Sequence, residues 1–66
     1  MSTNIEAQRL DETAAILGWR YETLMRAGYS DREALLLATQ DEVDVHLACD
    51  LLEHGCPTRT AIRILV

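Results

Sequence analysis

The stretch "LMRAGYSDREALLLA", Leu24 to Ala38, decides the fold, because its pattern returns at Leu51 to Leu65 as "LLEHGCPTRTAIRIL". The glycines fall in register, Gly28 with Gly55. So do Arg32 with Arg59, Ala34 with Ala61 and Leu35 with Ile62. Each copy reads as a helix end, a glycine turn, a capped helix start and an apolar helix. Gly28 and Gly55 are expected at positive φ, the conformation that glycine tolerates at a helix C-terminus. Ser30 followed by Glu33 offers a capping box and predicts a helix over about 31–39. Pro57 stands where the last helix begins, at a position that needs no backbone donor.

Upstream, Leu10, Ala14, Leu17, Tyr21 and Leu24 recur at spacings of four and three, one helical stripe. They predict a first helix from Asp11 to Ala27, with Asp11 as its cap. Thr3 and Glu6 offer an earlier start as a capping box, and Gly18 weakens the middle. Residues 1–10 are therefore read as a frayed segment or a short extra turn, and 11–66 as a single helical domain. Downstream, "TQDE" is a polar break, and Asp41 or Asp44 caps a third helix that ends at Gly55. On that helix Val45, Ala48, Cys49, Leu51 and Leu52 cover about half the circumference, which suits packing on more than one side. His46, Asp50 and Glu53 share the remaining face. The expectation is an all-α fold: a compact bundle of three to four short helices built from two repeated corners.

A chain of 66 residues is one domain at most, and it buries only ~60% of the surface that its unfolded form exposes. The formal net charge of −5 argues against a phosphate backbone as partner. Six arginines and no lysine read as coding bias. The start "MSTNIEAQRL" lacks a basic segment followed by an apolar run. No apolar run approaches the ~20 residues that span a bilayer. A cytoplasmic address without membrane attachment is the default expectation. Cys49 and Cys56 are then expected as free thiols.

Residues 24–52 resemble a ubiquitin-associated (UBA) domain. The residues that carry the resemblance are "AGY" at Ala27 to Tyr29 and the central pair Ala34 and Leu35. "DVHLA" at Asp44 to Ala48 and the paired Leu51 and Leu52 complete it. The register holds without a gap. The resemblance implies a UBA-like three-helix centre. In that family the glycine-aromatic loop and the end of the third helix bind the apolar patch of ubiquitin. Ala27 stands where the family's loop has methionine, so ubiquitin binding is not carried over. The chain also resembles small arginine-rich helical proteins of bacteria, which implies no function.

His46, Cys49, His54 and Cys56 are metal-ligand types, but the helical register turns His46 and Cys49 apart, and no metal or other cofactor is expected. Cys56, with His54 near it at a helix start, has the setting of a reactive thiol. It is nevertheless read as a small residue in a packing slot, because Tyr29 occupies the matching place in the repeat. Arg59 and Arg63 on the last helix could enter a groove of nucleic acid in a helix-turn-helix regulator. Residues 41–54 carry five acidic side chains and weigh against it. No nucleophile–base pair, phosphate loop or paired acid argues for an enzyme. The reading favoured is a small non-catalytic protein-interaction module. Its patch is expected at Ile16, Trp19, Arg26, Tyr29 and Leu36, and its partner is another protein or a second copy of itself.

Overall fold

The computed structural model describes the backbone of residues 2–66 and the side chains of residues 12–66. It is an all-α bundle. Four helices follow in the order α1 (Ser2–Ala27), α2 (Asp31–Ala38), α3 (Val45–Glu53) and α4 (Thr58–Leu65). The long α1 packs against both α2 and α3, and α4 packs against α3.

The repeated stretch builds the same backbone device twice. Gly28 has φ 121° and Gly55 has φ 88°, as expected. At the first corner the Gly28 amide donates to the Met25 carbonyl at 3.1 Å and the Tyr29 amide donates to the Leu24 carbonyl at 3.2 Å. At the second, Gly55 donates to Leu52 at 3.0 Å and Cys56 to Leu51 at 2.9 Å. These paired bonds satisfy carbonyls that a helix end otherwise leaves open. The motif also brings the residue after the glycine against the helix it has just left. Tyr29 and Cys56 both pack into the core cluster that way.

Caps set the other boundaries. The Glu33 amide donates to Ser30 Oγ at 3.2 Å, and the Ser30 amide donates to Glu33 Oε1 at 2.9 Å, a complete capping box. Asp44, rather than Asp41, caps α3: its Oδ1 accepts from the amides of His46 and Leu47 at 2.9 and 3.2 Å. Pro57 precedes α4 with no side-chain cap.

The first helix departs from expectation. It runs without a break from Ser2, so Asp11 lies inside it and does not cap it. The backbone of residues 2–10 is α-helical, continuous with the rest of α1, and Met1 lies outside the described residues. The side chains of Thr3, Glu6 and Leu10 also lie outside the described set. Along the expected stripe Leu24 is buried and Leu17 and Tyr21 are partly buried, but Ala14 is exposed. Residues 12–16 are all exposed, because α2 and α3 are short and cover only the C-terminal half of α1. The molecule measures 50 × 19 × 18 Å, with a radius of gyration of 13.8 Å, against about 11 Å for a rounded chain of this length. The bundle is small, and one helix overhangs it.

The core is Leu24, Tyr29, Ala34, Leu37, Ala38, Val43, Val45, Ala48 and Ala61. Ala61 brings α4 into it, with Ile62 and Leu65 packed alongside. No described helix is long and apolar enough to cross a membrane.

Candidate functional site

The expected patch divides once its residues are placed. Ile16, Trp19 and Arg26 lie along one flank of α1 by helical register, and all three are exposed. Ile16 is 58% exposed and Trp19 is 53% exposed. The Trp19 ring meets the His46 ring of α3 edge-on, with centroids 6.4 Å apart and planes inclined at 65°, within the usual range for such pairs. The Thr23 hydroxyl donates to the Trp19 carbonyl at 2.7 Å, one turn along. Arg26 lies at the rim of a shallow cleft between α1 and α3 that includes Thr23, Cys49 and Glu53.

Two residues leave the patch. Tyr29 is 2% exposed, and its hydroxyl donates to the Ala48 carbonyl at 2.8 Å. It anchors the core. Burial raises its phenol pKa, helped by the nearby Cys49 and Cys56 thiols and Glu33. The physical reason is the corner itself, which seats the residue after each glycine inward. Leu36 is exposed, but it lies on the outer face of α2, opposite the buried Ala34, Leu37 and Ala38. It does not join Ile16 and Trp19.

One residue of this flank was not foreseen. Arg20 lies between Ile16 and Trp19 on one side and the buried stripe on the other. A guanidinium nitrogen, Nη2, donates to the carbonyls of Gln40 and Val43, the latter at 3.0 Å, and so fastens the α2–α3 connection to α1. Its Nε is buried without a partner. The signal in the sequence was a lone cation adjoining an apolar stripe, a place where arginine commonly buries its stem. Ile16, Leu17 and Ala38 line a cleft of about 420 Å³ around it, with Asp41 at the edge.

The remaining candidates are structural in their settings. His54, the C-cap of α3, has its Nδ1 2.7 Å from the Asp50 carbonyl. Cys56 is partly buried, with its thiol 3.6 Å from the Pro57 carbonyl. Cys49, expected to be buried, is only partly so, 4.0 Å from the Thr23 carbonyl. Burial and the nearby acids Asp50 and Glu53 push its thiol pKa up. Both cysteines are free. Among the described residues no three His, Cys, Asp or Glu side chains converge as metal ligands do. Arg59 and Arg63 are exposed on α4, while Asp50 and Glu53 are exposed on α3, the other helix of that corner.

Comparison with known protein families, curated proteins and solved structures finds no match.

Proposed function

We propose that the chain is a small non-catalytic protein-interaction module with a UBA-like three-helix centre. It works by burying the Ile16–Trp19 flank of α1 against a protein surface. The observation that carries this reading is the exposure of both side chains, 58% and 53%, on one helix face. Trp is highly buried on average, and an exposed Trp beside a large aliphatic and an arginine matches the make-up of interface centres. Burying the exposed parts of the two, on the order of 200 Å², is worth roughly 5 kcal/mol before the costs of association. That supports an anchor, and a wider surrounding surface must complete the complex.

The test places a photo-cross-linking amino acid at position 16 of the full chain in its host, with Thr60 on α4 as the control position. A discrete protein adduct from position 16 and none from position 60 supports the reading. No adduct from position 16, at normal expression of a folded chain, defeats it.

A further inference from the structure

We infer that the contact between Trp19 and His46 is a pH-responsive clasp. Protonated His46 holds the indole against α3, and neutral His46 releases it to be buried by a partner. That regulatory meaning rests on the interaction reading above, whereas the clasp itself is a property of the chain alone.

The pair joins two helices at the surface. Trp19 stands on α1 and His46 in the first turn of α3, with ring centroids 6.4 Å apart and planes inclined at 65°. The indole is 53% exposed and His46 is exposed, so protons reach the imidazole from solvent. The two helices are held by core residues, Leu24 on α1 and Val45 and Ala48 on α3. The rings can therefore close or part without disturbing the core. Histidine is the side chain that ordinarily changes charge between about pH 5 and 8. Here that change falls on one half of the contact.

The sign follows from the groups around the imidazole. Indole offers a cation the most negative face among the aromatic side chains, whereas a neutral imidazole gains only the weaker edge-to-face attraction. On α3 the amide end of the helix opposes a charge at His46. The Asp44 carboxylate that caps this end and Asp50, one turn on, favour it. These effects are similar in size and opposite in sign, which leaves the indole to decide. Glu53 lies a further turn away, and Asp41 and Glu42 stand in the connection before α3. On α1, Glu12 and Arg26 stand two turns to either side of Trp19 and offset one another, while Arg20 is committed to the Gln40 and Val43 carbonyls. The charged side chains of α4, the other helix packed on α3, are Arg59 and Arg63, both exposed, where water and salt screen them. A cation–π contact at an exposed site shifts the balance of held and released indole by roughly two- to fivefold.

Trp19 is the one tryptophan of the chain, so its accessibility reports the clasp directly. The test is collisional quenching of its fluorescence by acrylamide in the full-length chain between about pH 5 and 8, with far-UV circular dichroism confirming the helices throughout. From an even balance at the alkaline end, that shift lowers the released fraction by about one and a half- to threefold on acidification, and the quenching constant falls with it. His46→Gln abolishes the pH dependence and keeps the alkaline value. His54→Gln, at the other histidine, keeps the wild-type profile. A wild-type quenching constant that is flat or rises on acidification overturns the inference, and so does the same pH dependence in His46→Gln. These measurements need no partner. No adduct from position 16 therefore defeats the interaction reading and leaves the clasp, while a flat profile removes the clasp and leaves the adduct. Where the adduct forms in host extract, its yield falls at acid pH for wild type and not for His46→Gln; equal falls in both overturn the regulatory role.

Discussion

Replacing Tyr29 by Phe tests whether the glycine corner is an anchor of the core or a loop free to bind. The substitution removes one hydroxyl and leaves the ring. The lost bond is the 2.8 Å donation to the Ala48 carbonyl from a side chain that is 2% exposed. A single buried hydrogen bond of this kind contributes about 1 kcal/mol. A 66-residue chain has an unfolding entropy near 0.14 kcal/mol per kelvin, so the melting temperature falls by about 7 °C. Tyr29→Ala also loses the ring, at about 3–5 kcal/mol. Total stability for this length is roughly 3–10 kcal/mol, so that variant loses about a third to all of it. A second readout is alkaline unfolding. Burial raises the folded-state pKa of this phenol, so its contribution is full below the ordinary tyrosine pKa of about 10 and is lost as pH rises through the folded value. The Phe variant loses that part of the pH dependence. Thermal melts at neutral pH and a pH series followed by circular dichroism measure both effects. A Phe variant that melts within a degree or two of wild type and keeps the wild-type alkaline profile refutes the anchoring role.

Gly28→Ala and Gly55→Ala should each destabilise by about 1 kcal/mol through backbone conformation. The first should cost more, because φ is 121° at Gly28 and 88° at Gly55, while the new Cβ meets nothing closer than 3.5 Å at either; chemical denaturation resolves the order. Glu33 has its pKa lowered mainly by the Ser30 amide it accepts from. Its contribution is therefore present above the ordinary glutamate pKa and lost as pH falls through the lower folded value, and Glu33→Gln should flatten that acid limb in a pH series of melts. Arg20→Met should cost about 1–2 kcal/mol. Two charge-assisted bonds to the α2–α3 connection disappear while an unpaired buried Nε disappears with them; faster amide exchange confined to residues 40–44 is the local signature. Ending the chain at Cys56 should uncover the side of α3 that Ala61, Ile62 and Leu65 cover and cause aggregation or loss of a cooperative melt, whereas an unchanged melt would make α4 a detachable arm.

How much was legible in the sequence follows from which signals are local. Both glycine corners, the Ser30–Glu33 box and the apolar half of α3 were readable, because each depends on a few neighbouring residues. The start of α1 was not. Asp11 looks like a cap on local grounds, and so does Thr3, and only the continuous backbone decides between them. Nor was the lack of cover over Ala14, since the stripe from Leu10 to Leu24 is uniform along the chain. What ends its burial is the length of α2 and α3, eight and nine residues against 26 for α1. Tyr29 is different: the repeat that marks the position of Cys56 as a packing slot marks Tyr29 as one too, and that local signal points to the burial seen. Arg20 was missed because a helix-flank cation is ordinary until its partners, two carbonyls some twenty residues away, are in place.

The repeated corner also explains why the exposed Ile16–Trp19 flank lies where it does. Each corner turns the chain through a glycine and seats the next residue inward, so a short helix returns onto its predecessor with few residues spent in the turn. Two such corners give three short helices enough mutual contact to hold one half of a long helix. Nothing in that economy requires the other half of α1. A helix that overhangs its bundle by several turns is marginal alone in water, since isolated helices of ~12–15 residues barely hold together. The fold and the face separate cleanly along α1. Leu17, Tyr21 and Leu24 pack into the bundle, and Ile16 and Trp19 stay exposed. Substitutions at Leu24 should therefore lower the melting temperature at any concentration. Substitutions at Ile16 should lower it only where the wild-type melt itself rises with concentration, as linkage to a binding partner demands. A concentration series of melts for wild type and Ile16→Asp distinguishes the two. Equal shifts at all concentrations would place Ile16 in the fold and leave the overhang without an interaction role.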